Sequence, residues 1–207
     1  MDPALADQIA RWDERYADSD YLWDVGPNHF VEQRLADAEP GTAVDLAAGE
    51  GRNAVWLAEQ GWQAIAVDFS EAGLAKARQL AEHRGVADRV ETVLADALTY
   101  QPEAPVDLVV IAYLQLPAPM VRTVLQHAAA WLRPGGRVFI VAHDRSNHEH
   151  GYGGPPMPEV LYDLDDAVAA LEGLEIETAE VAERVVETVD GPRTALDTLV
   201  IARRPSA

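Results

Sequence analysis

The sequence predicts an α/β three-layer sandwich: a mostly parallel seven-stranded sheet covered by helices and closed by a C-terminal antiparallel hairpin. Three observations predict it. Short β-branched runs alternate with helical patterns from residue 42 onward, as in a parallel sheet covered on both faces. The first five runs are apolar without strict alternation, as strands buried on both sides are. The turn cluster "DGPR" (190–193) separates two further strand-like runs, which suits a hairpin at one edge.

The elements follow in order. Two amphipathic segments, 4–18 and 28–38, come before the first run. The five buried strands are "TAVDLAA" (42–48), "QAIAVDF" (63–69), "VETVLAD" (90–96), "VDLVVIAY" (106–113) and "GRVFIVAH" (136–143). Between them, "RNAVWLAEQG" (52–61) stops at Gly61, and the helix over 70–85 opens on Ser70 as N-cap and stops at Gly85. The helix over 117–136 begins with prolines and stops at "PGG", and Asp163 can cap a helix over 164–175. "EIETAEVAERVVETV" and "TALDTLVIARR" supply the hairpin. Only 144–158, "DRSNHEHGYGGPPMP", lacks periodicity, and it reads as a loop folded over something.

At 207 residues the chain suits one domain. Its 48% hydrophobic and 25% charged residues are those of an ordinary globular protein. A formal net charge of −19 with no basic run argues against nucleic acid and anionic membranes as partners. No stretch approaches the ~20 apolar residues of a membrane span, so the expected place is the cytoplasm. With no cysteine, disulfides, thiolate metal sites and a cysteine nucleophile drop out together.

The stretch "DLAAGEGRNAVWLAEQGWQAIAVDFSE" (45–71) carries the chemistry. Residues 49–54, "GEGRNA", fit G-x-G-x-x-[GA] after a strand and at the head of a helix, the pattern that lets a ligand touch bare backbone. Gly49 and Gly51 could also simply make a tight β–α turn. Asp68 follows at the distance of a ribose-binding acid and can accept from both sugar hydroxyls. A pyrophosphate beside Asp45 would be repelled, whereas the ammonium and sulfonium of S-adenosylmethionine would be stabilised. The methyl donor is therefore favoured over a nicotinamide dinucleotide.

With these residues in view, the sequence resembles the class I S-adenosylmethionine-dependent methyltransferases, a Rossmann-like family, and within them the small bacterial group similar to tellurite-resistance and thiopurine methyltransferases. The resemblance rests on "WDERYADSDYLWDVGPNHF" (12–30), "DLAAGEGRNAVWLAEQGW" (45–62), "AVDFSEAGLAKA" (66–77), "ADAL" (95–98), "LRPGGRV" (132–138) and "GYGGPPMPEVLY" (151–162). Ala47 stands where the family usually has its first glycine, a change that is tolerable if the residue keeps φ negative. The resemblance implies that Asp45, Ala47, Gly49 and Gly51 border the methionyl part of the cofactor. It places the ribose on Asp68, the adenine against Phe69, and the adenine amino group on Asp96, which Ala97 follows. Arg52 and Asn53 stand at the helix N-terminus, as ligand contacts or as local caps.

The same resemblance divides the single domain (1–207) into a helical N-terminal lid (1–40), a cofactor-binding core (41–143), an acceptor-side loop (144–162), and a helix with the C-terminal hairpin (163–207). Trp12, Arg15, Tyr16, Trp23 and Asn28 lie in the lid region. Trp12 and Tyr16, four apart, suit either a lid over the cofactor or plain helix packing. Relatives commonly read Tyr-x-His-Leu-Pro after the fourth strand; here Tyr113 is kept and Gln115 replaces the histidine.

His143 and Asp144 end the fifth strand, where open α/β sheets bind ligands. A protonated hydroxyl is a poor nucleophile that gains from a base titrating near neutrality, so His143 is the candidate base, with Asp144 and Tyr113 beside it as catalytic candidates. The alternative for His143 is a strand-end hydrogen bond. "HDRSNHEH" (143–150) lacks metal-ligand spacing, so no metal site is assigned, although oxygen ligands such as Asp144 or Glu149 leave room for Mg²⁺. The expected activity is methylation of a small soluble acceptor, at oxygen first, with a methylated mannoside in polysaccharide assembly as the acceptor the resemblance suggests. A soft thiopurine or tellurite acceptor, a NAD(P)-dependent oxidoreductase and a silent nucleoside-binding module are the alternatives. A homodimer is compatible with the sequence.

Overall fold

The computed structural model describes residues 3–18, 21 and 25–206. Seven strands form one mixed sheet in the order β3-β2-β1-β4-β5-β7-β6, and residues 1–100 and 101–207 are two compact units.

The first unit holds α1 (Pro3–Ala17), α2 (His29–Leu35), β1 (Thr42–Leu46), α3 (Arg52–Glu59), β2 (Gln63–Asp68), α4 (Glu71–His83) and β3 (Val90–Leu94). β1 pairs in parallel with β2, Asp45 opposite Ala66, and β2 pairs in parallel with β3. Ala43, Val44, Leu46, Ala64, Ala66 and Val67 are buried, as double coverage of a parallel sheet demands. α3 covers the strands with Ala54, Val55 and Leu57, and α4 does so with Leu74, Ala77 and Leu80. Ser70 caps α4 as expected, its Oγ accepting from the Gly73 N–H at 3.1 Å. Asn28, read above as part of a lid, caps α2 by accepting from Phe30 N and Val31 N.

The second unit holds β4 (Val106–Ala112), α5 (Ala118–Trp131), β5 (Leu132–His143), α6 (Asn147–His150), α7 (Leu164–Ala169), β6 (Glu175–Val186) and β7 (Arg193–Arg203). β4 and β5 are parallel; β7 returns antiparallel to β5 and β6 antiparallel to β7. The hairpin is thus where the sequence puts it. Some boundaries differ: α7 ends at Ala169, six residues before the expected 175. α5 ends at Trp131, five residues before the expected stop, because Leu132 already takes extended geometry at ψ 138. The stretch 144–158 is not without structure: Asn147–His150 makes one helical turn.

Asp163 caps α7 by accepting from Asp165 N and Asp166 N. Beside it lies a cavity of about 370 Å³ walled largely by Val121, Leu125, Leu161 and Ala167, with Tyr162 in its lining. Among the described residues, no helix is long and apolar enough to cross a membrane.

Candidate functional site

In the first unit the chain turns from β1 into α3 through residues 47–51, and its backbone is bent as small residues allow. Gly51 sits at φ 74, and a Cβ there would lie 2.5 Å from the Cβ of Ala77, so only glycine admits this approach of α4 to the loop. Ala47 takes φ 61. The condition under which the alanine is tolerable, a negative φ, is therefore not met: the turn takes the left-handed region, and here an alanine bears a steric cost that the family's glycine avoids.

Two carboxylates frame this turn. Asp68 is 7% exposed; its Oδ2 accepts from Gly49 N and its Oδ1 from Ser70 N, both at 2.8 Å. Asp45 is 1% exposed and its Oδ2 accepts from Ala54 N at 3.0 Å. Burial pushes the Asp45 carboxyl up to about 7 against the pull of that N–H and of Arg52, and the nearby Asp68 adds to the rise. Asp68 is also pushed up by burial, while the N–H groups of Ser70 and Gly49 hold it back. Two acids, both resisting ionisation, around a bare backbone turn make a site that gains from a cation.

The other candidates divide. Asn53 accepts the Asn28 N–H at 2.8 Å, a tie between the first turn of α3 and the N-cap of α2. Asp96 folds its own turn, Oδ1 accepting from Leu98 N at 2.9 Å. Phe69 and Arg52 are half-buried, and Ala97 is buried. Tyr16 is buried with its hydroxyl close over Gly49. Its ring stacks on that of Trp12 at 5.5 Å, and Arg15 lies over Trp12. Asp13 receives the Ser70 hydroxyl, so α1 lies against α4 and the glycine turn. Trp23 lies outside the described residues.

In the second unit, Tyr113 and His143 meet, their ring centroids 4.8 Å apart. They meet over Asp197, which is fully buried. His143 Nδ1 is 3.1 Å from Asp197 Oδ1, an ion-pair distance short of an aligned hydrogen bond. Tyr113 donates its hydroxyl to Oδ2 at 3.0 Å and Arg184 donates Nε to the same oxygen at 2.7 Å. Burial pushes the Asp197 carboxyl up, but the approach of His143 and the bond from Arg184 outweigh it and hold it below the usual carboxylate range.

Asp144 does not join this cluster. Successive strand residues point to opposite faces, and its carboxylate accepts from Ser146 N and Ser146 Oγ on one oxygen and from the buried Thr198 hydroxyl on the other. Among the described residues, no group of three or more His, Asp or Glu is placed to share a metal ion.

Asp197, Arg184 and Asn147 escaped the sequence reading. Asp197 is a lone acid inside the apolar run "ALDTLVIA", and a charge there needs a buried partner. That was the available signal. Its partner follows from register: Asp197 stands opposite His143 in the β5–β7 pair.

Residues 43–136 match the family model described as a methyltransferase domain. The chain is 38% identical over 104 residues to the tRNA 5-carboxymethoxyuridine methyltransferase of Escherichia coli K12, covering 49% of this chain and 40% of that protein. It is 28% identical over 110 residues to a ribosomal RNA small subunit methyltransferase C of Alcanivorax borkumensis, covering 51% of this chain and 33% of that one. The chain thus spans less than half the length of these relatives. The crystal structure of N-methyltransferase NodS from Bradyrhizobium japonicum in complex with S-adenosyl-L-homocysteine superposes with a TM-score of 0.71 at 15% identity, over 96% of this chain and 98% of that one.

The RNA-directed names correct the exclusion of nucleic acid drawn from the charge of −19. Net charge sums over a whole surface, whereas an acceptor is read by the few side chains it touches, and similarity over this half of the chain occurs in enzymes named for RNA. The fold, with its parallel sheet and returning C-terminal hairpin, is the Rossmann-like fold of the methyltransferases.

Proposed function

We propose that the protein transfers a methyl group from S-adenosylmethionine to an oxygen of its acceptor, with His143 as general base. The residues of the glycine turn suit that cofactor: Asp45 and Asp68 present two buried acids suited to a cationic sulfur nucleoside. When bound, the cofactor supplies an electrophilic methyl group on a sulfonium. The acids of the first unit hold it, Asp68 toward the pentose and Asp45 toward the ammonium, and Asp96 and Phe69 flank the adenine. α1 is the cover, with Tyr16 over Gly49, and it excludes water from the reacting sulfur. In the second unit His143 takes the acceptor's proton, and the 144–162 loop borders the acceptor.

One observation carries the oxygen reading: an imidazole set against a fully buried carboxylate, with a tyrosine and an arginine closing the cluster. Soft sulfur or tellurium acceptors need only proximity; a hydroxyl needs a base. Match to a methyltransferase domain gives no support to the nicotinamide alternative. The relatives described above are named for RNA substrates, so a mannoside acceptor rests on resemblance alone.

The test is a screen with methyl-labelled S-adenosylmethionine against alkylated sugars, other small hydroxyl compounds, thiols, tellurite and RNA. Label is expected on a hydroxyl compound. His143→Ala should lower that turnover by a few hundred-fold while S-adenosylhomocysteine binds as before. Label confined to thiols or tellurite, or full turnover by the alanine variant, would overturn the proposal.

A further inference from the structure

We infer that Asp197, anchored by Arg184, is a positioning residue that holds the proton of the neutral His143 ring on Nδ1 and leaves Nε2 as the basic nitrogen. The kinetic part of this inference rests on the function proposed above; the tautomer does not.

Hydrogen-bond satisfaction fixes the tautomer. His143 Nδ1 and Asp197 Oδ1 are both buried, and apart from their mutual approach at 3.1 Å neither has a hydrogen-bond partner. Left unpaired, each would carry its full desolvation cost. An ionised carboxylate only accepts, so the proton between them belongs to Nδ1. A neutral imidazole has one such proton, and Nε2 keeps its lone pair.

Arg184 makes the arrangement one-sided. It donates Nε to Oδ2 at 2.7 Å, cannot give up its charge, and so favours the ionised carboxylate. Tyr113 donates to the same oxygen, and Oδ1 is left for the imidazole. These three, from β7, β6 and the end of β4, are the charged or titratable side chains that face the ring among its described contacts.

The ring cannot turn freely away from Asp197. Tyr113 lies along one side. Gly154, at φ 86, lies so close that an added Cβ would be 3.1 Å from the His143 Cγ. Asn147 ties the preceding residue to β7: its Nδ2 donates to Gly153 O at 3.0 Å and its Oδ1 accepts from Leu196 N at 2.7 Å. The loop between β5 and α7 therefore clamps the imidazole onto its carboxylate.

The experiment reads the ring nitrogens directly. The full chain, ¹⁵N-labelled, is examined by two-bond nitrogen–proton correlation at a pH where the imidazoles are neutral, with His143→Gln assigning the signal. The wild type is expected to show its proton on Nδ1. In Asp197→Asn, Arg184 and Tyr113, both donors, claim the amide oxygen and turn the amide NH₂ toward Nδ1, so the proton should move to Nε2.

Turnover should then fall about 10²–10⁴-fold, as when the orienting acid of a catalytic histidine becomes an amide. Binding of S-adenosylhomocysteine should stay within about twofold, because the substitution lies outside the glycine turn and its two acids. A wild-type ring protonated on Nε2 overturns the inference even if the asparagine variant fails to fold, and so does an unchanged tautomer in a folded variant. An Nδ1 proton in a chain whose His143→Ala variant keeps full turnover supports the positioning and overturns only the base assignment.

Discussion

Asp68 Oδ2 accepts the backbone N–H of Gly49 at 2.8 Å, tying the end of β2 to the glycine turn across 19 residues of chain. With Ser70 N on the other oxygen, both carboxylate oxygens accept a backbone N–H. An asparagine cannot reproduce this, because its NH₂ would face an N–H. Asp68→Asn is therefore expected to cost about 1–3 kcal/mol of stability in urea unfolding. It should also weaken S-adenosylhomocysteine about 10–100-fold by calorimetry, as a charge-assisted bond is lost. Unchanged nucleoside binding in a folded variant would remove Asp68 from the cofactor site.

Asp45 links stability to pH. Its carboxyl is raised from 3.8 to about 7 by burial, so the folded state binds the proton more tightly than the unfolded chain does. The stabilisation is complete below pH 3.8 and is lost as pH rises through about 7, each tenfold difference in proton affinity between the two states being worth roughly 1.4 kcal/mol. The free protein should thus lose a few kcal/mol from this group between about pH 4 and pH 8. Asp45→Asn should flatten part of the slope, the remainder coming from Asp68, which is shifted in the same direction. Urea midpoints across that pH range for both proteins check this. If Asp45 faces an ammonium, S-adenosylhomocysteine binding should tighten from about pH 6 to pH 8 in the wild type alone.

What could be read from the chain was what repeats locally. The apolar runs at 42–48, 63–69 and 106–113 became β1, β2 and β4 because burial on both faces leaves no polar alternation to misread, and Ser70 and Asp163 cap the helices they precede. The glycine turn was legible because a strand, two glycines and an acid lie close together between residues 45 and 68. The His143 cluster was not. Its members stand at 113, 143, 184 and 197, on four strands or strand ends, and only the antiparallel register of β5 with β7 brings Asp197 opposite His143. Adjacency misled once: Asp144 follows His143 in sequence, and strand alternation turns it to the other face.

Ala47 offers a stability gain. At φ 61 an alanine carries a cost of about 1–2 kcal/mol relative to the right-handed region, and glycine removes that cost while adding chain entropy of about 0.4–1 kcal/mol to the unfolded state. Ala47→Gly should therefore raise stability by roughly 0.5–1 kcal/mol, and Ala47→Val, β-branched at positive φ, should lower it by more than about 1 kcal/mol. Denaturant midpoints of the pair decide it. A destabilised glycine variant would mean that the packing of the alanine methyl outweighs the backbone cost.

The Tyr162 hydroxyl is buried with no hydrogen-bond partner among the described residues, and burial drives its pKa up beyond the ordinary tyrosine range. The ring fills space beside the cavity under α5 and α7, whose walls are mostly apolar, so the aromatic body stabilises while its polar tip opposes. Phenylalanine keeps the first and removes the second. Tyr162→Phe should raise the unfolding free energy by about 1 kcal/mol, whereas Tyr162→Ala, which enlarges the cavity, should lower it by about 3–5 kcal/mol. Both are read from thermal and urea unfolding of the full chain. A loss of stability in the phenylalanine variant would show that the hydroxyl is paired in solution, with a water in the cavity as its partner.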